Sequence, residues 1–458
     1  MVLQELFAAD GILSAGIILL FLAMIAAVNR LPKKKLSFAA RVLIGAACGT
    51  VFGLAVYGLE RFFGSGGAVI FADGWKTGVR MPAGTGMGVP QWAAMGTQIY
   101  LGLFRFLIGP VVFICTVRMV IRTPAFREMP AQERTKRRVN TLMTALACGV
   151  GLFFGILFQV GGAGNGFGAV QAGGESIPEL AVKMAPVNLA ADLLAGKVTA
   201  VFAAGILTGM AAKRMSGKYM DTVKPFFNLT EAAFSIMGSV CKTVIAWKPA
   251  ASAAVMTALL TSFGPEILWR IIKFLLVLVL AAVSMLILQL VLAALCGVSP
   301  AAFMRAGKAA MGKALKTRSG QASLPEAQKA LAEGLGLNQE ITDEVSAYAI
   351  SSGMQGCGAL FPAMALVFAV NLAGGSFTPG LAAAALAVVT MTSYGITGAP
   401  GTATMAEFAA VMGTGMEGAV SGLGAMVAVD PIADVPRTLI NVTGCMTNAI
   451  IAERRLRK

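Results

Sequence analysis

The chain runs to 458 residues, of which 57% are hydrophobic and only 13% charged, a balance outside that of soluble globular domains. Its net charge of +15 sits in short basic clusters between apolar runs, where the positive-inside rule places it, so it excludes a nucleic-acid surface as its reason. There is no histidine, which removes Ser-His and Cys-His nucleophiles, HExxH zinc sites and His-ligated haem; no GxxxxGK[ST] loop supports an ATP-driven pump.

Apolar stretches near 20 residues recur along the sequence, the length that crosses roughly 30 Å of hydrocarbon. The first, Gly11 to Val28, follows Glu5 and Asp10 and precedes Arg30, Lys33, Lys34 and Lys35. That polarity is the reverse of a secretory signal peptide and predicts a retained helix with its N-terminus outside. A second run, Val42 to Gly58, returns outward, and a Gly-rich external loop leads to a helix over Trp92 to Val120. Its cytoplasmic exit is marked by Arg118, Arg122, Arg127, Arg134, Lys136, Arg137 and Arg138. A fourth helix is expected over Val139 to Gly161. An external stretch with Glu175 and Glu179 follows, then a helix ending at Lys213 and Arg214, and two more near Phe226 to Ser262 and Ile267 to Cys296. The next basic segment carries Arg305, Lys308, Lys313 and Lys316. In all, nine crossings are predicted, with the C-terminus cytoplasmic. Fifty-four glycines, mixed with other small residues through the apolar runs, suit close helix packing. Seven scattered cysteines give no disulfide framework.

Beyond residue 316 the pattern changes. Thr317 to Gly336 is too polar and too broken by Ser, Gly and Pro to span lipid, and such backbone is tolerated at membrane depth only inside protein or beside water. TRSGQASLP (Thr317 to Pro325) precedes a helix interrupted at SSGMQGCG (Ser351 to Gly358); TSYGITGAPGTAT (Thr392 to Thr404) precedes a helix carrying Asp430, Asp434 and Arg437. Paired discontinuities of this kind point to a transporter's midplane site. Along the last helix Asp430, Asp434, Arg437, Thr438, Asn441, Cys445 and Asn448 recur at offsets of three and four, along one face. Arg437 offers a planar fork for a carboxylate and Asp434 an anion for an ammonium, so together they fit a zwitterion. Pro436 removes the helical partner of the Ile432 carbonyl.

These motifs resemble the dicarboxylate/amino acid:cation symporters, the sodium/glutamate transporter superfamily. FRFLIGPVVF (Phe104 to Phe113), APVNLAADLLAGKV (Ala185 to Val198), TRSGQASLP, TGAPG (Thr397 to Gly401) and DVPRTLINVTG (Asp434 to Gly444) stand in the family's order. The extra first helix, the GVSP segment Gly297 to Pro300 and GCGALFPAM (Gly356 to Met364) are most similar to its L-cystine symporter branch. The resemblance implies an all-α polytopic membrane protein of glutamate-transporter-like fold, with two re-entrant hairpins and inverted repeats. It implies a homotrimer in the cell membrane working by an elevator motion. It divides the chain into mainly scaffold helices over 1–138, a transport-domain helix over 139–162, scaffold helices over 163–262 and a transport domain over 263–458 with hairpins near 303–336 and 378–415.

By position, the family's substrate arginine and ammonium-binding aspartate fall on Arg437 and Asp434, with Thr438 and Asn441 beside them. Arg318, Ser319, Gly320, Cys357 and the Ala399 to Gly401 tip complete the implied pocket. Gly320 and Cys357 stand where glutamate-type members have serine and threonine, and Pro436 where they have glycine. Gln355 and Cys445 replace two cation-binding aspartates, and Gly353 an asparagine, so two cation sites are expected to be lost. A third, built largely from backbone carbonyls, falls on Ser351, Ser393, Tyr394 and Ile396. The implied function is cation-coupled symport of an amino acid, L-cystine first, with glutamate, aspartate or a C4-dicarboxylate as the alternative substrate. The coupling ion is Na⁺ or H⁺, with Asp430, Asp434 and Glu407 available as proton carriers and no other cofactor. A passive channel could also carry re-entrant loops and buried charge, and an enzyme would need carboxylate or Ser-Lys chemistry.

Overall fold

A computed structural model of the protein describes residues 12–62, 88–124, 129–162 and 177–457. Glu5, Asp10, Gly11, the Gly-rich loop after Phe62, Arg127 and Glu175 lie outside the described residues. Every regular element within them is helical. The order begins α1 (Ile12–Asn29), α2 (Phe38–Phe62), α3 (Val89–Arg122) and α4 (Ala131–Leu157). It continues through α5 (Ile177–Met184), α6 (Leu189–Leu194), α7 (Val198–Ser216), α8 (Met220–Ala246), α9 (Lys248–Phe263) and α10 (Glu266–Leu295). Among the described residues eight helical stretches are long and apolar enough to cross a bilayer. The first expected crossing is shorter, its apolar part covering Ser14–Asn29.

Two expectations about boundaries need correction. The fourth helix starts at Ala131, not near Val139, because Lys136 and Arg137 pair with Glu133 one turn back and Lys136 also reaches Glu344 at 2.5 Å. Ion pairs at these spacings let a basic stretch continue the helix rather than form a loop. The expected single helix over Phe226 to Ser262 is two, parted at Trp247, where Lys248 and Pro249 open α9. A proline in the first turn of a helix gives up no helical hydrogen bond, so the chain restarts there without loss.

The second half contains two helical hairpins and one broken helix. The first hairpin joins α11 (Pro300–Thr317) to α12 (Gly320–Lys329), which ends in a π turn over Ala330–Gly334; the second joins α15 (Pro379–Gly395) to α16 (Thr402–Gly413). Between them α13 (Gln339–Ser351) stops, and after three extended or turning residues a π segment over Gln355–Leu360 leads into α14 (Phe361–Leu372). A 3₁₀ turn over Glu417–Leu423 leads into the 33-residue α17 (Gly424–Leu456), which stays continuous through Pro431 and Pro436. Side-chain caps define the starts: Ser299 for α11, Ser319 for α12, Asn338 for α13 and Thr378 for α15 each accept a backbone N–H of the first turn.

The core lies around α14 and α17. Phe361, Phe368, Phe274, Phe408 and Phe104 are fully buried there. Leu19, Val51, Phe106, Phe153 and Leu276, on helices outside that core, are exposed, as side chains facing lipid would be. Helix α9 is held against α2 by Gly45, Gly49 and Gly53, spaced one turn apart. A methyl group on Gly45 would meet the Pro249 carbonyl oxygen at 2.1 Å, and one on Gly49 the Ala253 oxygen at 2.2 Å. Small residues at this spacing let membrane helices touch backbone to backbone. This contact fixes the N-terminus of α9 beside α17.

Candidate functional site

The break in the helix after α13 is made by its sequence. Gly353 takes a left-handed φ of +61°, flanked by extended Ser352 and Met354. A break of this kind exposes backbone polar groups that lipid cannot satisfy, and side chains from neighbouring helices take them up. Asn140 Nδ2 donates to the Ser352 carbonyl at 2.8 Å, and Thr144 Oγ1 to the Gly353 carbonyl at 2.6 Å. The Gly356 and Cys357 amides donate to Asn441 Oδ1 at 2.8 and 3.2 Å. Gly356 is indispensable to this closeness, since a Cβ there would lie 2.2 Å from the Arg437 carbonyl oxygen.

Above this joint lies a cavity of about 280 Å³. The sequence-expected residues Arg318, Gly320, Cys357, Gly401, Asp434, Arg437, Thr438 and Asn441 all line it, from both hairpin tips, the π segment and α17. Arg318 occupies the first tip with a φ of +53°, unfavourable for a residue with a Cβ, and its guanidinium approaches the Pro431 carbonyl at 3.5 Å. Ser319, next to it, is the N-cap of α12 rather than a lining residue. Ala399 turns to a separate small void lined by Phe234 and Cys115.

Arg437 is 2% exposed and lies over the Phe361 ring, 4.2 Å from its centroid. Its Nη2 donates to Asp430 Oδ1 at 2.6 Å and to Asp434 Oδ1 at 3.0 Å. Its Nε and Nη1 are buried and have no hydrogen-bond partner among the described residues. Buried guanidinium donors left unpaired cost several kcal/mol, and a carboxylate is the group that best takes them up. The other oxygen of Asp434 is likewise uncommitted among the described residues, while Thr438 Oγ1 stands 3.4 Å from Oδ1. Thus carboxylate-binding and ammonium-binding groups stand one helical turn apart on α17.

Among the lining residues not anticipated from the sequence, one is charged. Lys248, 3% exposed at the start of α9, donates to Asp430 Oδ2 at 2.5 Å and reaches Thr404 Oγ1 of the second hairpin at 3.4 Å. It had a signal, because an ionisable residue inside an apolar stretch is costly and functional by default. What hid it was its isolation: its partner lies 182 residues further on. Glu407, 2% exposed on α16, lies within electrostatic reach of Asp430, Arg437 and Lys248.

Below the joint, where the sequence shows neutral residues at cation positions, the structure places a buried amide chain. Gln289 Nε2 donates to Gln355 Oε1 at 2.7 Å, Gln355 Nε2 to Asn448 Oδ1 at 3.1 Å, and Asn448 Nδ2 to Asn140 Oδ1 at 2.8 Å. Gln355 passes over Gly444, where a Cβ would lie 2.6 Å from its carboxamide carbon. Cys445 turns its thiol to the Val442 carbonyl. Of the carbonyl-site residues, Ser351 and Ser393 donate to carbonyls of their own helices, and the Tyr394 hydroxyl meets Asn140 and Thr141 at 3.1 Å. Ser393 packs against the π segment at Gly358 and Ile396 is fully buried. The Ser351 and Ser393 hydroxyls have given up their protons to helix carbonyls but keep their oxygen lone pairs.

Comparison with known proteins shows the family. The profile of the sodium:dicarboxylate symporter family matches residues 38–455. The L-cystine uptake protein TcyP of Bacillus licheniformis is 23% identical over 454 residues, covering 95% of this chain and 94% of the relative. The protein of the same name from Shouchella clausii is 24% identical over 465 residues, covering 97% and 95%. That of Bacillus anthracis is 22% identical over 454 residues, covering 95% and 93%.

Proposed function

Because the chain belongs to the sodium:dicarboxylate symporter family, and is therefore a membrane transporter and not an enzyme, we propose that it takes up an amino acid, L-cystine first, by cation-coupled symport. The observation that carries this reading is Arg437: two buried, unpartnered guanidinium nitrogens beside an uncommitted oxygen of Asp434 are complementary to one α-carboxylate and one α-ammonium. The relatives named for L-cystine uptake support the choice among amino acids. Asn441 and Gly356 hold the site to the joint, and Cys357, whose thiol accepts from Asn441 Nδ2 at 3.0 Å, adds a soft, weakly polar wall.

In this reading the protein is a homotrimer in the cell membrane, and the unit over 263–458 with the helix over 139–162 carries the site across the bilayer in an elevator motion. Lys248 belongs to the stationary helices and Asp430 to the moving ones, so their ion pair marks one end of the stroke. The coupling ion is Na⁺ or H⁺, with Na⁺ taken at the carbonyls around Ser351, Ser393, Tyr394 and Ile396, or a proton on Asp430, Asp434 or Glu407. A second reading, uptake of glutamate, aspartate or a C4-dicarboxylate, draws on the cations Lys248, Arg318 and Arg437 around one cavity. Counterflow in proteoliposomes separates the two. Preloaded L-cystine is expected to drive uptake of labelled L-cystine, with L-glutamate and succinate ineffective; counterflow with glutamate or succinate alone would replace the first reading by the second.

A further inference from the structure

The cavity holds two cations and two aspartates where a single zwitterion needs one of each. Arg437 pairs with both Asp434 and Asp430, and Lys248 pairs with Asp430, all four lining the same space. The two aspartates are four residues apart on one face of a continuous helix, which separates them by about 6 Å along its axis. The α-carbons of two amino acids joined through a disulfide stand roughly 4.4–6.8 Å apart. We propose that Lys248 and Asp430 form a subsite for the second amino-acid head of a two-headed substrate, one whose two α-amino-acid groups are joined through a short sulfur bridge. This rests on the reading of Arg437 and Asp434 as the first-head site.

The second head enters by exchange. Its carboxylate takes the Lys248 ammonium and its ammonium takes Asp430 Oδ2, so one buried ion pair becomes two with no change in net charge. Such an exchange leaves no charge uncompensated, the condition on which a buried ion pair survives outside water. Thr404 Oγ1, 3.4 Å from Lys248 Nζ, gives the ammonium a second partner throughout. Asp430 Oδ1 keeps its bond to Arg437 Nη2, which ties the two subsites to one guanidinium. A one-headed amino acid leaves the Lys248–Asp430 pair closed and forgoes that second set of contacts. The preference for two heads over one is therefore a property of a residue on α9, outside the helix that binds the first head.

Equilibrium binding of L-cystine and of S-(methylthio)-L-cysteine, which keeps the disulfide and lacks the second head, tests this on the purified full chain in nanodiscs without reductant. The wild-type protein is expected to bind L-cystine at least tenfold more tightly than S-(methylthio)-L-cysteine. Lys248→Met should reduce that ratio at least tenfold, and Lys248→Arg, which keeps a cation, should retain most of it. Equal wild-type affinities overturn the subsite without any variant, and so does a Lys248→Met protein whose ratio is unchanged because both affinities fall together. Arg437→Lys distinguishes the underlying reading: it should weaken both ligands alike, and if it weakens neither, the first-head site falls and the second with it.

Discussion

At the scale of single residues, Arg437 does several things at once. It bridges two aspartates, stacks on Phe361 and still offers two nitrogens to the cavity. A lysine in its place can reach one aspartate but supplies neither the planar fork nor the stacking face. Arg437→Lys is therefore expected to lower substrate affinity by about 1.5–3 kcal/mol, roughly ten- to hundred-fold, in a protein that still elutes as the intact assembly. Unaltered affinity in a binding assay would take Arg437 out of the substrate site. Arg437, Asp434, Thr438 and Asn441 were legible in the sequence because helical spacing puts polar side chains of an apolar helix on one face. Lys248 was not, since the contact that gives it meaning is made between distant segments and no local periodicity encodes it. Gln289 escaped for the same reason, as the one amide of its helix.

Among elements, two irregular zones and the broken helix could be read from clusters of Gly, Ser and Pro, which disfavour regular helix wherever they gather, while that the zones are hairpins came from the family resemblance. The parting of α8 from α9 was missed although Lys248 and Pro249 stand at the joint, because Pro249 sits where a first helical turn tolerates it. Nor did the sequence separate Gly401, which faces the cavity, from Ala399, which faces α3 and α8, since orientation at a hairpin tip depends on the turn's backbone. The joint between the π segment and α17 depends on one missing side chain. Gly356→Ala would push a methyl group to 2.2 Å from a backbone oxygen on a helix that is itself buried, so neither side can yield cheaply. Overpacking of this kind costs about 1–3 kcal/mol, and the amide donors to Asn441 would be displaced with it. A lower melting temperature together with weaker L-cystine binding is the expected outcome; a variant with wild-type values in both would show that the joint is looser than its geometry.

For the whole molecule, the positive-inside rule predicts an orientation. With the basic clusters on the cytoplasmic side the N-terminus is expected outside, and a single cysteine at Lys34 should then resist an impermeant thiol reagent applied to intact cells. Labelling from outside would reverse the assignment.

Charge also bears on energetics of the transport cycle. Where carboxylates would supply ligands and negative charge to a cation, Gln355 and Cys445 are neutral, and Gln289, Gln355, Asn448 and Asn140 hydrogen-bond to one another. These amides leave one buried oxygen, Gln289 Oε1, without a partner among the described residues, but they add no fixed charge that a moving unit must carry through the bilayer. A bis-zwitterion such as L-cystine is nearly neutral overall and needs no cation to offset its carboxylates. We therefore expect fewer coupled cations per cycle than in relatives that keep both aspartates, with one as the predicted number. One elementary charge crossing 100 mV is worth about 2.3 kcal/mol, enough by itself for roughly fifty-fold accumulation. Parallel measurement of L-cystine flux and charge movement in proteoliposomes, with Na⁺ and pH gradients varied separately, gives the ratio directly. A value of one charge per L-cystine is expected, and the ion whose gradient drives it is the coupling ion. Three charges per substrate would mean that backbone carbonyls and waters replace the missing carboxylates, and the amide chain would then have to open during the cycle. Gln355→Asp provides the converse measurement: a carboxylate returned beside Asn448 should make binding more dependent on Na⁺, because a hard cation is the partner that stabilises a buried anion there.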